Sequence, residues 1–260
     1  MIKTFIIMSL LAIPCFGQDV PDDRMQRIYE TTVRVLANGS IGTGSIFHED
    51  DKYYYILTND HVVGDNSHVN IEYTRNHVKS SRIRAKVIGS KHTKGLTIDV
   101  AILRISKSNL NNIDLPVMPI GRIAPNMNDR LLITCGCQNG ARPSIQQCYM
   151  TQRVNNLIKY TPTSLPGRSG SMLCDVEGKE ILGLVAWMSG GENSVGIAMT
   201  CSSIRDFCYG VVEASSGNDP IAVRALENSD IEGVVPLPMG AFEIPLAREE
   251  DAIPTAGDSN

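Results

Sequence analysis

The sequence predicts an all-β protein closed by a short C-terminal helix. Three observations carry that reading. Short runs rich in β-branched and aromatic residues, separated by polar turns, recur from residue 32 to residue 200. Asn38-Gly39, a strong hairpin signal, sits between two of them. The stretch from Asn109 to Asn128, with Pro116, Pro119 and Pro125, reads as a loop that divides the runs into two sets. Short strands at this spacing belong to barrels or sandwiches, and the loop reads as the connection between two barrels.

The elements follow in order. Pro21 to Thr31 reads as a short helix, with Asp22 and Asp23 in its first turn, where they oppose the positive end of the dipole. Thr32-Val33-Arg34-Val35-Leu36 alternates and stops at the Asn-Gly turn, and Gly42 to Phe47 answers it. Tyr53 to Thr58, His68 to Tyr73, Ile83 to Ile88 and Ile98 to Ile105 complete the first set. The second set is Arg130 to Thr134, Cys148 to Val154, Asn156 to Tyr160, Ser171 to Cys174, Ile181 to Trp187 and Val195 to Thr200. Ser202 to Tyr209 reads as the closing helix, capped by Ser202 or Ser203. From residue 215 to residue 260 prolines punctuate a stretch with no sustained apolar period, which reads as a flexible tail.

With 260 residues, 42% of them hydrophobic, the chain can bury a full core. Its net charge of −4 speaks against a nucleic-acid partner, which calls for a basic face. Residues 1–17 read as an export leader. Lys3 begins it, an apolar run spans Phe5 to Ile13, and Cys15-Phe16-Gly17 precedes a cut before Gln18. The run is shorter than the roughly 20 residues of a membrane span, and Pro14 disfavours a lipoprotein site at Cys15. A secreted or periplasmic protein without stable membrane insertion is therefore expected.

Of seven cysteines, Cys15 lies in the leader, and the other six suggest disulfides in an exported chain. The pairings expected are Cys137 with Cys148 and Cys135 with Cys174. Cys201 and Cys208, if on one helix, would stand roughly 10 Å apart along its axis, too far to bridge. Cys135-Gly136-Cys137 lacks the second ligand pair that a zinc site needs, so no metal and no cofactor are expected.

Three short segments carry chemistry. Thr58-Asn59-Asp60-His61-Val62-Val63 places a histidine at the end of a strand. Asp99-Val100-Ala101-Ile102-Leu103 starts an apolar strand with an acid, which burial would oblige to find a partner. Gly167-Arg168-Ser169-Gly170-Ser171 places a serine in a sharp glycine turn. A serine hydroxyl needs an imidazole to take its proton, and the imidazole needs a partner to fix its tautomer. His61, Asp99 and Ser169 are a base, its orienting acid and a nucleophile, in the chain order of chymotrypsin-type enzymes and not of subtilisins or α/β-hydrolases. The hydrolase elbow G-x-S-x-G fails at Ser171, and the metallopeptidase motif H-E-x-x-H is absent. His48, His68, His77 and His92 lack such a setting and read as surface residues.

On these segments, together with Gly42-Thr43-Gly44-Ser45, the chain resembles a trypsin-like, chymotrypsin-fold serine peptidase of bacterial type over residues 32–209. The resemblance implies two six-stranded antiparallel β-barrels, at about residues 32–108 and 129–201 of a peptidase domain spanning 18–214, with the active site in the cleft between them. It implies an oxyanion hole formed by the backbone N–H groups of Gly167 and Ser169, and a specificity pocket lined by Thr163, Trp187, Met188, Gly196 and Ala198. No acid stands at the base of that pocket, and Met188 narrows it, so small or medium apolar side chains are expected before the scissile bond. In zymogen-activated relatives the position of Arg168 holds an acid that pairs with a freshly cut N-terminus. Arginine cannot make that pair, so a site competent on folding is expected. The reading is an exported serine endopeptidase acting on protein or peptide substrates. Its rivals are a latent binding protein of the same fold and an esterase using the same residues.

Overall fold

Each strand run closes on itself. The computed structural model describes residues 22–93, 98–111, 113–122, 130–189, 194–216, 223–227 and 235–236. The expected leader lies outside the described residues. Helix α1 (Asp22–Thr31) leads directly into the first barrel. Its strands are β1 (Thr32–Ala37), β2 (Ser40–Glu49), β3 (Tyr53–Thr58), β4 (His68–Arg75), β6 (Ile83–Thr93) and β7 (Asp99–Ser106), with the two-residue β5 (Val78–Lys79) hairpinned onto β4. They pair in the order β6-β7-β3-β2-β1-β4, and β4 returns to β6 to close six antiparallel strands. The second barrel holds β8 (Arg130–Gly136), β9 (Ser144–Val154), β10 (Leu157–Thr161), β11 (Met172–Cys174), β12 (Ile181–Met188) and β13 (Gly196–Thr200). Their order is β11-β8-β9-β10-β13-β12, and β11 pairs with β12 to close the ring. The chain therefore has two closed six-stranded antiparallel barrels. Closure leaves only short edge segments, the second half of β6 and the end of β12.

Alternation along the strands decides what each barrel buries. Val33, Val35, Ile46, Ile56, Ile71 and Leu103 pack together in the first, and Leu132, Met150, Ile158, Leu173 and Val185 in the second. A third cluster joins the barrels through Phe47, Leu57, Ile102, Ile133, Met172 and Leu184. Helix α3 (Cys201–Ser216) adds Cys201, Ile204, Cys208, Val211 and Val212 to it, a stripe at helical spacing. This helix runs well beyond the Tyr209 expected from sequence. The connecting segment is stitched to both barrels: the Met118 N–H donates to the Ile46 carbonyl (3.0 Å) and the Gly121 N–H to the Ile181 carbonyl (2.9 Å). Two pieces of the proline-rich tail are strands. β14 (Val223–Glu227) runs parallel to the second half of β6, and β15 (Val235–Pro236) pairs with Trp187 and Met188 at the end of β12.

The expected disulfides are not formed: all six cysteines of the barrels and α3 are buried free thiols. Register explains this. Cys148 stands opposite Leu132, whereas Cys137 lies beyond the Gly136–Ser144 pair at the far end of the same ladder, roughly 17 Å away at about 3.4 Å per residue. Cys135 faces Met172 and Cys174 faces Ile133, a diagonal of about 7–8 Å that exceeds the reach of a disulfide. Cys201 and Cys208 share α3.

Candidate active site

His61 sits on the four-residue helix α2 (Asp60–Val63), which follows β3 without a side-chain cap. Asn59, wholly buried between them, donates from Nδ2 to the Asp99 carbonyl (2.7 Å) and so ties the end of β3 to the start of β7. Asp99 is completely buried. Its Oδ1 accepts the His61 backbone N–H at 3.0 Å, and its Oδ2 is hydrogen-bonded to His61 Nδ1. Burial pushes the Asp99 carboxyl up, but the His61 ring with its hydrogen bonds, together with the nearby His92, outweighs it and holds the group well below the usual carboxylate range. This geometry leaves Nε2 of His61 as the ring nitrogen not engaged by the acid.

His92 corrects the surface assignment. Strand register sets it directly across from Asp99. Its Nδ1 lies 3.7 Å from Asp99 Oδ1 and 3.8 Å from Oδ2 of Asp60. The nearby Asp99 carboxylate raises its pKa, against the opposing effect of burial. Among the described residues, Asp60, His92 and Asp99 form the set whose ligand atoms all lie within 4.8 Å of one another. Both Asp99 oxygens in it already accept from His61.

Ser169 lies in the turn between β10 and β11, held against the first barrel. Its carbonyl accepts the Thr43 N–H (2.8 Å), and the Gly167 carbonyl accepts the Thr43 hydroxyl (2.8 Å). Gly42, next to Thr43, separates the Val62 side chain of α2 from the Ser169 carbonyl and leaves no room for a Cβ. Among the described residues no hydrogen bond joins Ser169 Oγ to His61. Gly167 (φ +86°) and Gly170 (φ +84°) occupy the left-handed region, and a Cβ on them would come within 2.4 Å of the Cys137 carbonyl oxygen and 2.0 Å of the Thr43 carbonyl oxygen respectively.

Carbonyl bonds fix where the N–H groups of this turn point. In a trans peptide, C=O and N–H face opposite ways. The Pro166 carbonyl accepts the Asn139 N–H (2.7 Å), so the Gly167 N–H is turned away from the 138–140 loop. The Arg168 carbonyl accepts the Ser171 N–H (2.9 Å), so the Ser169 N–H is turned the other way. Neither N–H has an acceptor among the described residues. Arg168 points into the second barrel, where it is 1% exposed. Its Nη1 donates to the carbonyl and hydroxyl of Ser144 (3.0 Å each) and its Nη2 to the Thr134 carbonyl (3.0 Å).

Of the expected pocket residues, Trp187 and Ala198 are buried, while Thr163 and Met188 are partly so. Gly196 lies under the Tyr160 ring, whose atoms begin 2.1 Å from where a Cβ would stand. Tyr160 is fully buried and donates to Ser164 Oγ (2.7 Å). Its ring therefore fills space on the Gly196 side that the sequence left open. Thr163 Oγ1 is buried without a partner. Reading the sequence missed the placing of three groups. Thr43 showed only as part of a Gly-Thr-Gly-Ser motif. His92 depends on strand register, and the anchors of Arg168 come from strands distant in the chain.

Comparison with known proteins agrees with this architecture. The sequence profile of the trypsin-like peptidase domain matches residues 42–184. A protein described as "Serine protease HtrA-like" from Staphylococcus haemolyticus (strain JCSC1435) is 24% identical over 207 residues, which cover 72% of this chain and 30% of that protein. The chain thus spans under a third of that relative's length. Among solved structures, the serine endoprotease from Yersinia pestis has a similar fold (TM-score 0.60, 23% identity, 75% of this chain and 68% of that one). So does an HtrA-type protease, AlgW, determined with a tripeptide (TM-score 0.57, 19% identity, 74% of this chain and 62% of that one).

Proposed function

The chain belongs to the trypsin-like peptidase domain family, and from that premise we propose that it is a serine endopeptidase exported through its N-terminal leader. The observation that carries the reading is the buried Asp99 carboxylate bonded to both the backbone and the ring of His61, together with the glycine turn that carries Ser169. In the proposed reaction His61 Nε2 takes the Ser169 proton as Oγ attacks the scissile carbonyl. The oxygen that gains the electron pair is received by the Gly167 and Ser169 N–H groups, and the imidazolium is stabilised by Asp99, which stays ionised. His61 then gives the proton to the leaving amine. Water enters, loses a proton to His61 and hydrolyses the acyl-enzyme. The side chain before the cut bond is small or medium and apolar, because Tyr160 and Met188 restrict the pocket and no acid lines it.

The experiment is labelling of the leader-free protein with a fluorophosphonate, with Ser169→Ala as control and mass spectrometry to locate the adduct. Labelling at Ser169 that falls in His61→Ala is expected. A folded protein that does not react would mean a latent scaffold. Matched ester and amide substrates then separate an endopeptidase from an esterase.

A further inference from the structure

Among the described residues, the largest fully buried side chain is a cation without an acid. Arg168 sits between the two residues whose N–H groups face the proposed oxyanion, and its guanidinium is enclosed in the second barrel. Arginine stays protonated in proteins, and an isolated charge in such a place is costly. No carboxylate lies within ion-pair distance of it among the described residues. The ionisable groups around it are the thiols of Cys135, Cys137 and Cys148 and the phenol of Tyr160. Burial pushes the thiols up to about 11, about 12 and about 12, and the phenol up as well, so all four are neutral at ordinary pH.

The acceptors that hold the guanidinium are neutral too. They lie on β8 and β9, close to the Gly136–Ser144 rung. The Ser144 hydroxyl accepts from Nη1 and passes its own proton toward the Gly136 carbonyl (3.4 Å). Gly136 passes close to this turn: a Cβ there would stand 2.0 Å from Ser171 Oγ and 3.3 Å from Arg168 Cγ. Nε is buried with no hydrogen-bond partner among the described residues. Among the described residues, then, no acid neutralises this positive charge, which sits on the residue shared by the two peptide units that carry the Gly167 carbonyl and the Ser169 N–H.

We propose that Arg168 is the positioning residue of the oxyanion hole: its guanidinium anchors the 167–169 turn to β8 and β9, and its charge is answered only by the anion that forms at the Gly167 and Ser169 N–H groups. This rests on the serine-peptidase reading above. A fixed cation near developing negative charge stabilises the transition state more than the neutral substrate, so its contribution falls on kcat and not on KM. The same tether explains how the turn is ordered without a newly cut N-terminus, since the anchor is internal and complete once the second barrel has closed.

The test compares Arg168→Met, Arg168→Lys and the native chain, each lacking its leader and each verified as folded by near-ultraviolet circular dichroism. The readouts are the rate of fluorophosphonate labelling and the affinity for phenylboronic acid, whose adduct on a serine is a tetrahedral anion. A folded Arg168→Met protein is expected to lose about 10²-fold in both, the scale of a lost oxyanion donor, with KM for a peptide substrate within twofold. Arg168→Lys, which keeps the charge without the planar fork, is expected to recover about tenfold of that loss. A folded Arg168→Met protein that labels within twofold of the native rate would overturn the proposal, as would a loss that lysine does not lessen. If Arg168→Met does not fold, the native chain carries the test through the Arg168 Nε–H resonance, assigned by ¹⁵N NMR. Forming the boronate adduct should shift it, and an unmoved resonance overturns the proposal. Failure of the native chain itself to label at Ser169 is a separate result, which sinks the serine-peptidase reading.

Discussion

Asp99 and His92 make opposite demands on pH. Asp99 is held low by its partners, so its ionised form persists well into acid. His92 is raised by Asp99 and Asp60. A raised histidine contributes stability that is fully present below its unfolded pKa, near 6.5, and is lost as pH rises through the folded value. His92→Gln should therefore destabilise the protein at pH 5.5 and leave it unchanged at pH 9. The expected difference is ~0.5 kcal/mol, kept small because the ring is about one-third exposed and screened. Urea unfolding of both proteins at the two pH values measures it, and an equal loss at both would reject the ion-pair account. His61, Asp99 and Ser169 could be picked out from the sequence because each sits in a short local motif. His92 could not, since nothing near it in the chain is chemically distinctive and only the β6–β7 register puts it across from Asp99.

Among the elements, strands were more legible than helices. The run Tyr53 to Thr58 coincides with β3, because three tyrosines and two aliphatic residues between polar turns have no other reading. Helix α2 was invisible as an element, being four residues long and too short for any period to register. The cysteines were misjudged at this scale. Count and compartment favour bridges, but pairing is decided by rungs, and these rungs keep the sulfurs apart. The thiols should behave as small apolar side chains. Burial raises them, Cys201 to about 11 and Cys174 and Cys208 upward as well. A thiol reagent such as dithionitrobenzoate at pH 8 should find less than about one thiol per folded leader-free chain, and all six barrel and α3 cysteines after denaturation. Rapid reaction of the folded protein would show that the second barrel opens. Insensitivity of the native chain to dithiothreitol follows from the same geometry.

For the whole molecule, the division into two strand sets and the loop between them were readable, while the course of the chain after α3 was not. Proline-punctuated sequence has no period to betray strands as short as β14 and β15. Yet they reach both barrels, one on β6 and the other on the end of β12. Trp187 and Met188, which β15 pairs with, are the residues expected to meet substrate. A chain ending at Ser216 should thus bind an extended peptide more tightly, with KM lowered severalfold and kcat little changed. Steady-state kinetics on one peptide substrate decides it, and an unaltered KM would mean that the β15 pairing does not obstruct the site.

Thr43 closes the nucleophile turn from the other barrel, through its N–H to Ser169 and its hydroxyl to Gly167. Viewed as a sequence of events in time, this delays the weapon until last. As the chain is made, the half bearing His61 and Asp99 emerges first and has nothing to activate. The serine comes later, on a loop whose shape depends on a threonine more than a hundred residues earlier. On the proposed mechanism neither half can cut anything alone, so a nascent chain is harmless to itself. Proteolytic power arrives in one step, when the two barrels meet.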